Sequence, residues 1–312
     1  MSGNHCVGPE WCSAGSFQRM FKEIKVSAKK MDWKFSGRIF FLAGSGKTSF
    51  KALCAIGFSQ FLFGQQQLST DAANAMREGR YLAAESIYRK LAQQFPQEAG
   101  WVGNLGLALH SQGKYQEATI QLEKSLKLHF SSGIATILGI DYLKLGKPCQ
   151  AITPLQKTDQ IAVLADALNG CKRYSEAAIL YKKLGKEREA GRAYWMARDY
   201  SSALVLFRKI IPNFANDSEL NYEMGDAVMR TEGAEAALPY LEKSVALVSG
   251  RATLGKAYVE LKRYEEAIPH LEAGVPTDSN LLLPLSTAYK QTGRVTEAAR
   301  ALKLYREKVS QN

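Results

Sequence analysis

Four histidines, His5, His110, His129 and His270, are the side chains of this 312-residue chain best suited to proton transfer or metal ligation near neutral pH. None has a carboxylate or cysteine at catalytic or metal-binding spacing, so neither a catalytic nor a metal site is expected. His110 reads as a solvated helical histidine. Ala43-Gly44-Ser45-Gly46-Lys47-Thr48 looks like the end of a phosphate-cradling loop. That loop needs a glycine five residues before its Gly-Lys pair, so that the backbone can wrap the phosphates, and Phe41 stands there instead. The five cysteines, Cys6, Cys12, Cys54, Cys149 and Cys171, contain no closely spaced pair of the zinc-binding kind. Cys149 and Cys171 read as small buried residues, with a disulfide open to them only in an exported protein. The residues therefore point away from an enzyme, and no cofactor is expected.

If chemistry is absent, the elements must be there to present a surface. The net charge of +11 is concentrated at the start: residues 1–64 carry nine Lys/Arg against three Asp/Glu, and residues 65–312 carry 32 against 27. A body this mildly basic argues against nucleic-acid binding. Hydrophobic residues make up 46% of the chain and charged residues 23%, enough apolar material for a core.

Residues 1–30 show no sustained period, and read as disordered or as a mis-assigned start ahead of Met31. Residues 31–64 have the layout of an export signal: Lys47 and Lys51, then the apolar run Ala52–Phe63, then Gly64 before Gln65. Cleavage there makes the protein exported, periplasmic or secreted. Left uncut, residues 39–63 form a short membrane anchor interrupted by the two lysines, and the only membrane contact expected is through that segment.

From Leu68 onward the chain repeats itself. Gly79-Arg80-Tyr81 with Ala84 and Tyr88 returns 34 residues later as Gly113-Lys114-Tyr115 with Ala118 and Leu122. Further units carry Leu138-Gly139 with Ala151; Leu168 with Tyr174, Ala177 and Tyr181; Gly191 with Tyr200, Ala203 and Phe207; Met224-Gly225 with Ala237 and Leu241; Leu254-Gly255 with Tyr264, Ala267 and Leu271; and Leu285 with Gly293, Ala298 and Leu302. Small residues at these places let two helices approach closely, and a larger side chain would overpack the contact. The turn glycines accept left-handed backbone angles. The period shortens centrally: Gly146 to its equivalent Lys172 is 26 residues, and Lys172 to Arg198 is 26 again, which predicts stubby helices there. Pro148 and Ala234 replace the aromatic that opens most second helices.

This pattern resembles the tetratricopeptide repeat, a helix–turn–helix unit of about 34 residues. The resemblance implies an all-α, right-handed α-solenoid of about eight repeats over residues 65–312, of the exported bacterial type. It further implies a non-catalytic scaffold or adaptor whose first helices line a concave groove for partner peptides or helices. Projected onto this chain, the groove of the fourth to sixth units holds Asp166, Asn169, Arg188, Arg192, Trp195, Tyr222, Asp226 and Arg230. Such an Arg–Trp–Tyr patch has interface hot-spot composition, although Arg192 and Asp226 could equally be spent pairing with neighbouring charges. The family's carboxylate clamp is missing: its places hold Ser69, Ala73, Asn104, Gly133 and Ile137, and only the asparagine matches. The partners expected are other proteins. The alternatives are a membrane-tethered assembly factor and, last, a nucleotide-using enzyme acting through Gly44–Thr48.

Overall fold

The computed structural model describes residues 64–310. The leading segment, with its signal-like run, Cys54 and the Gly44–Thr48 loop, lies outside them. The described residues are helical throughout, with no strand, and form a helical-repeat fold of the α-solenoid class. The described residues divide into two compact units, 64–134 and 135–310.

In the first unit, α1 (64–77) and α2 (Tyr81–Gln94) are followed by α3 (Ala99–Ser111) and α4 (Tyr115–Leu128). Ala84, Leu91, Val102, Leu109, Ala118 and Leu122 are buried within it. The second unit begins within α5 (Ser132–Lys144) and continues through α6 (Pro148–Leu155), α7 (Ile161–Gly170), α8 (Tyr174–Lys183), α9 (Glu187–Met196) and α10 (Tyr200–Ile210). Then come α11 (Ser218–Thr231), α12 (Ala234–Leu241), α13 (Val248–Glu260), α14 (Tyr264–Gly274), α15 (Leu282–Gln291) and α16 (Val295–Val309). Odd-numbered helices are the first of each repeat and even-numbered ones the second.

Close approach within a repeat rests on the small residues. A Cβ added to Gly191 would sit 2.6 Å from the Phe207 ring, and one added to Gly225 would sit 2.6 Å from Leu241 Cδ2. From the opposite helix Ala151, Ala177, Ala203, Ala237 and Ala267 are fully buried. The turns between paired helices recur in one form. The backbone N–H of Lys114 reaches back to the Leu109 carbonyl at 3.0 Å, and that of Arg173 to Leu168 at 2.9 Å, closing the helix over a left-handed residue. Glycine fills that place at Gly113, Gly146 and Gly293. Lys172 (φ 63°), Arg198 (φ 63°) and Lys262 (φ 59°) adopt it without being glycine, at a cost of roughly 1–2 kcal/mol each.

The central helices are short: α6 has 8 residues, and α7, α8 and α9 have 10 each, against 14 in α2 and α4. Here the reading of Cys149 and Cys171 as separate buried thiols gives way. They form a disulfide with Cα atoms 4.9 Å apart, and Cys149 lies at the surface. Compression brings the start of α6 against the end of α7. Pro148 packs over Gly170, where an added Cβ would lie 2.9 Å from the proline ring. The covalent link therefore lies one residue past Pro148, which takes the place of the aromatic that opens most second helices.

Candidate functional site

Six of the eight projected groove residues converge on the seam between α9 and α11, the first helices of the fifth and sixth repeats. Arg188, Arg192 and Trp195 lie on one face of α9, spaced by four and three residues. Glu219, Glu223 and Asp226 have the same spacing on α11. A helix returns side chains to one face every three or four residues, so two such rows can meet rung by rung.

They do. Arg188 pairs with Asp217 at 2.6 Å and lies 3.8 Å from Glu219. Arg192 bonds Glu219 at 2.8 Å through Nη2 and pairs with Glu223 through Nε. The Trp195 indole N–H donates to Asp226 at 2.8 Å. Arg230 donates to the same carboxylate from one turn further along α11, at 3.0 Å, and its guanidinium lies 5.2 Å from the Tyr200 ring centre. Trp195 meets Tyr222 edge-on at 5.7 Å between ring centres. The Tyr222 hydroxyl faces Ser249 and Thr253 of α13; burial, reinforced by Asp226, raises its pKa.

The alternative reading of Arg192 and Asp226 thus describes the free molecule: both are engaged with neighbours on the seam. The other two projected residues stand apart. Asp166 accepts a bond from the Tyr181 hydroxyl at 2.7 Å within the fourth repeat, and Asn169 is exposed near the end of α7.

Asp217, Glu219 and Glu223 were not among the projected residues, although a signal existed. They follow the basic residues by about one repeat, 31 residues in the Arg192–Glu223 and Trp195–Asp226 pairs. Glu223 is 4% exposed, and its Oε2 has no hydrogen-bond partner. Burial raises its pKa, against the opposing pull of Arg192. Asp217 is held below the usual carboxylate range, first by its bond from Arg188 and then by the backbone N–H of Leu220, which it caps.

No proton-transfer or metal constellation accompanies the seam: among the described residues no group of three or more His, Cys, Asp or Glu could hold a metal ion. His110 stacks obliquely near Tyr115, with ring centres 5.8 Å apart. The basic pair Arg208-Lys209 is engaged with Glu232 and Glu187. No helix of the described residues is long and apolar enough to cross a membrane.

A family model described as tetratricopeptide repeat matches residues 72–128, and a second of the same description matches residues 249–275. No curated protein matches the sequence. Among solved structures, the chain is similar to one in the complex of Naa15/Naa10 bound to HypK-THB, at 16% identity and a TM-score of 0.49, covering 72% of this chain and 39% of that one. This chain therefore spans about two fifths of that relative's length. It is also similar to the C-terminal part of a TPR repeat-containing protein from Cytophaga hutchinsonii, at 16% identity and a TM-score of 0.48, covering 69% and 98%. A tetratricopeptide repeat protein from Parabacteroides merdae is 16% identical, with a TM-score of 0.40 and coverage of 72% and 98%.

Proposed function

We propose that this chain, a tetratricopeptide-repeat protein, is a non-catalytic scaffold that holds partner proteins on the face of its first helices, centred on α9 and α11. The observation that carries this reading is the convergence of Arg188, Arg192, Trp195, Tyr222, Asp226 and Arg230 on one seam. Arginine, tryptophan and tyrosine are the residue types that dominate interface energetics. The Arg192 and Arg230 side chains remain 43% and 53% exposed, so each can meet a partner carboxylate or carbonyl while keeping its internal bond. Partner segments with an acidic or carbonyl-rich face suit this surface. Cross-linking in the native host, followed by mass spectrometry, tests the reading with wild type beside Arg230→Glu and Tyr222→Ala. Loss of the same cross-linked partner in both folded variants is expected; identical profiles would remove the seam from consideration.

We also infer that the protein works in an oxidising compartment. The Cys149–Cys171 disulfide supports this, since such bonds persist outside the reducing cytosol. The signal-like residues 31–64 agree with it. N-terminal sequencing of native protein beginning near Gln65 would match export, and retention of residues 39–63 would favour the tethered assembly factor instead.

A further inference from the structure

An open cavity of about 390 Å³ lies between two consecutive turns, Lys172-Arg173 of the fourth repeat and Arg198 of the fifth. Tyr174 and Met196 give it an apolar wall. Arg173 is occupied, gripping Glu176 through Nε at 2.6 Å and Nη2 at 2.7 Å. Lys172 and Arg198 are exposed, and neither makes an ion pair or a side-chain hydrogen bond with another described residue. Asp199, next along, caps the N–H of Ser202 instead.

Both cations occupy the left-handed position that glycine fills in other turns, and the third non-glycine residue there among the described residues is Lys262, again an exposed cation. Turn geometry alone would be served better by glycine. What the three residues have in common is a long, exposed cationic side chain in a turn of the second unit. The seam differs in kind, because its acids and bases largely satisfy one another.

We propose that the Lys172–Arg198 cavity is a second interaction site, one that takes a carboxylate-bearing segment of a partner protein. An Asp or Glu side chain sits between Lys172 and Arg198, and an adjoining aliphatic residue lies against Met196. Nucleic acid fits less well: residues 65–312 carry 27 acidic residues against 32 basic ones, and Tyr174 is partly buried where its helix begins rather than open for base stacking.

The test is fluorescence anisotropy of the full chain with a labelled peptide of alternating Glu and Leu, at low and physiological salt. The double variant Lys172→Gly/Arg198→Gly removes both charges while suiting the backbone, and a thermal melt confirms that it folds. Affinity is expected to fall roughly tenfold or more in the double variant, through loss of two charge-assisted contacts. Lys262→Gly, which removes a cation from the same kind of turn outside the cavity, should bind the peptide as wild type does, whereas the seam is tested by cross-linking of its own variants, so failure of either site is read separately. Equal binding by the double variant, no binding by wild type, or tighter binding of a single-stranded oligonucleotide of matching length would each overturn the proposal.

Discussion

Trp195 donates its indole N–H to the Asp226 carboxylate across 2.8 Å, and 31 residues, about one repeat, separate the two. That bond joins successive first helices, which pack mainly on second helices, their own and the preceding repeat's. If it locks the seam, Trp195→Phe and Asp226→Asn should each lower stability by about 1 kcal/mol, and the double variant by less than the sum. Urea denaturation of the four proteins measures the coupling; strict additivity would mean that the bond contributes nothing.

Removing Arg192 leaves Glu223 buried without its cation. Arg192→Ala should cost about 2 kcal/mol at neutral pH, below the full penalty for a broken buried pair because the guanidinium is partly exposed. Adding Glu223→Gln should restore most of the loss. Glu223 has a raised pKa in the fold, so its ionised form opposes folding once the pH passes that value. The defect of Arg192→Ala should accordingly shrink as the pH falls, which urea midpoints across the acid range would show.

The disulfide closes a loop of 22 residues between α6 and α7. Chain entropy assigns such a loop about 3 kcal/mol. Cys149→Ser/Cys171→Ser, and wild type under reductant, should lose similar stability and unfold at matching midpoints. Unchanged midpoints would show that packing of Pro148 on Gly170 holds this junction unaided.

In the first unit, burial works against ionisation of Glu85, but bonds from Gln112, Lys114 and Arg89 prevail and lower its pKa from 4.5 to about 2. A depressed carboxylate stabilises the fold above its unfolded value and loses that contribution as the pH falls toward the folded one. Wild type should therefore lose about 1–2 kcal/mol between pH 4.5 and 2 that Glu85→Gln does not lose, after discount for its exposed partners. Acid titration followed by circular dichroism compares the two.

Gly225 faces Leu241 so closely that any Cβ must displace it. Gly225→Ala should destabilise by about 1–3 kcal/mol despite alanine's better helix propensity, and Leu241→Ala in the same chain should relieve part of the strain. A thermal melt of Gly225→Ala no lower than wild type would contradict this close packing.

The spacing of small residues, turn glycines and aromatics made the helical repeats readable in advance, down to the 26-residue steps that place Lys172 and Arg198 in left-handed turns. These features are local or recur at fixed intervals, so backbone sterics and helix periodicity suffice to find them. The basic and aromatic half of the seam was legible for the same reason. Its acidic half was not, because recognising Glu219 and Glu223 as partners of Arg188 and Arg192 requires knowing which faces of two successive helices oppose.

What the sequence determined by itself is the order of helices, their small-residue contacts and the absence of catalytic spacing, all of which follow from residue type and period. The tertiary structure decided how side chains from different repeats spend their charges and thiols. Whether Arg192 is engaged, whether Cys149 meets Cys171 and whether Lys172 stays unpaired depend on distances of a few ångströms between helices separated along the chain. Coulombic and covalent bonds form only at such distances, and packing, rather than sequence spacing, sets them.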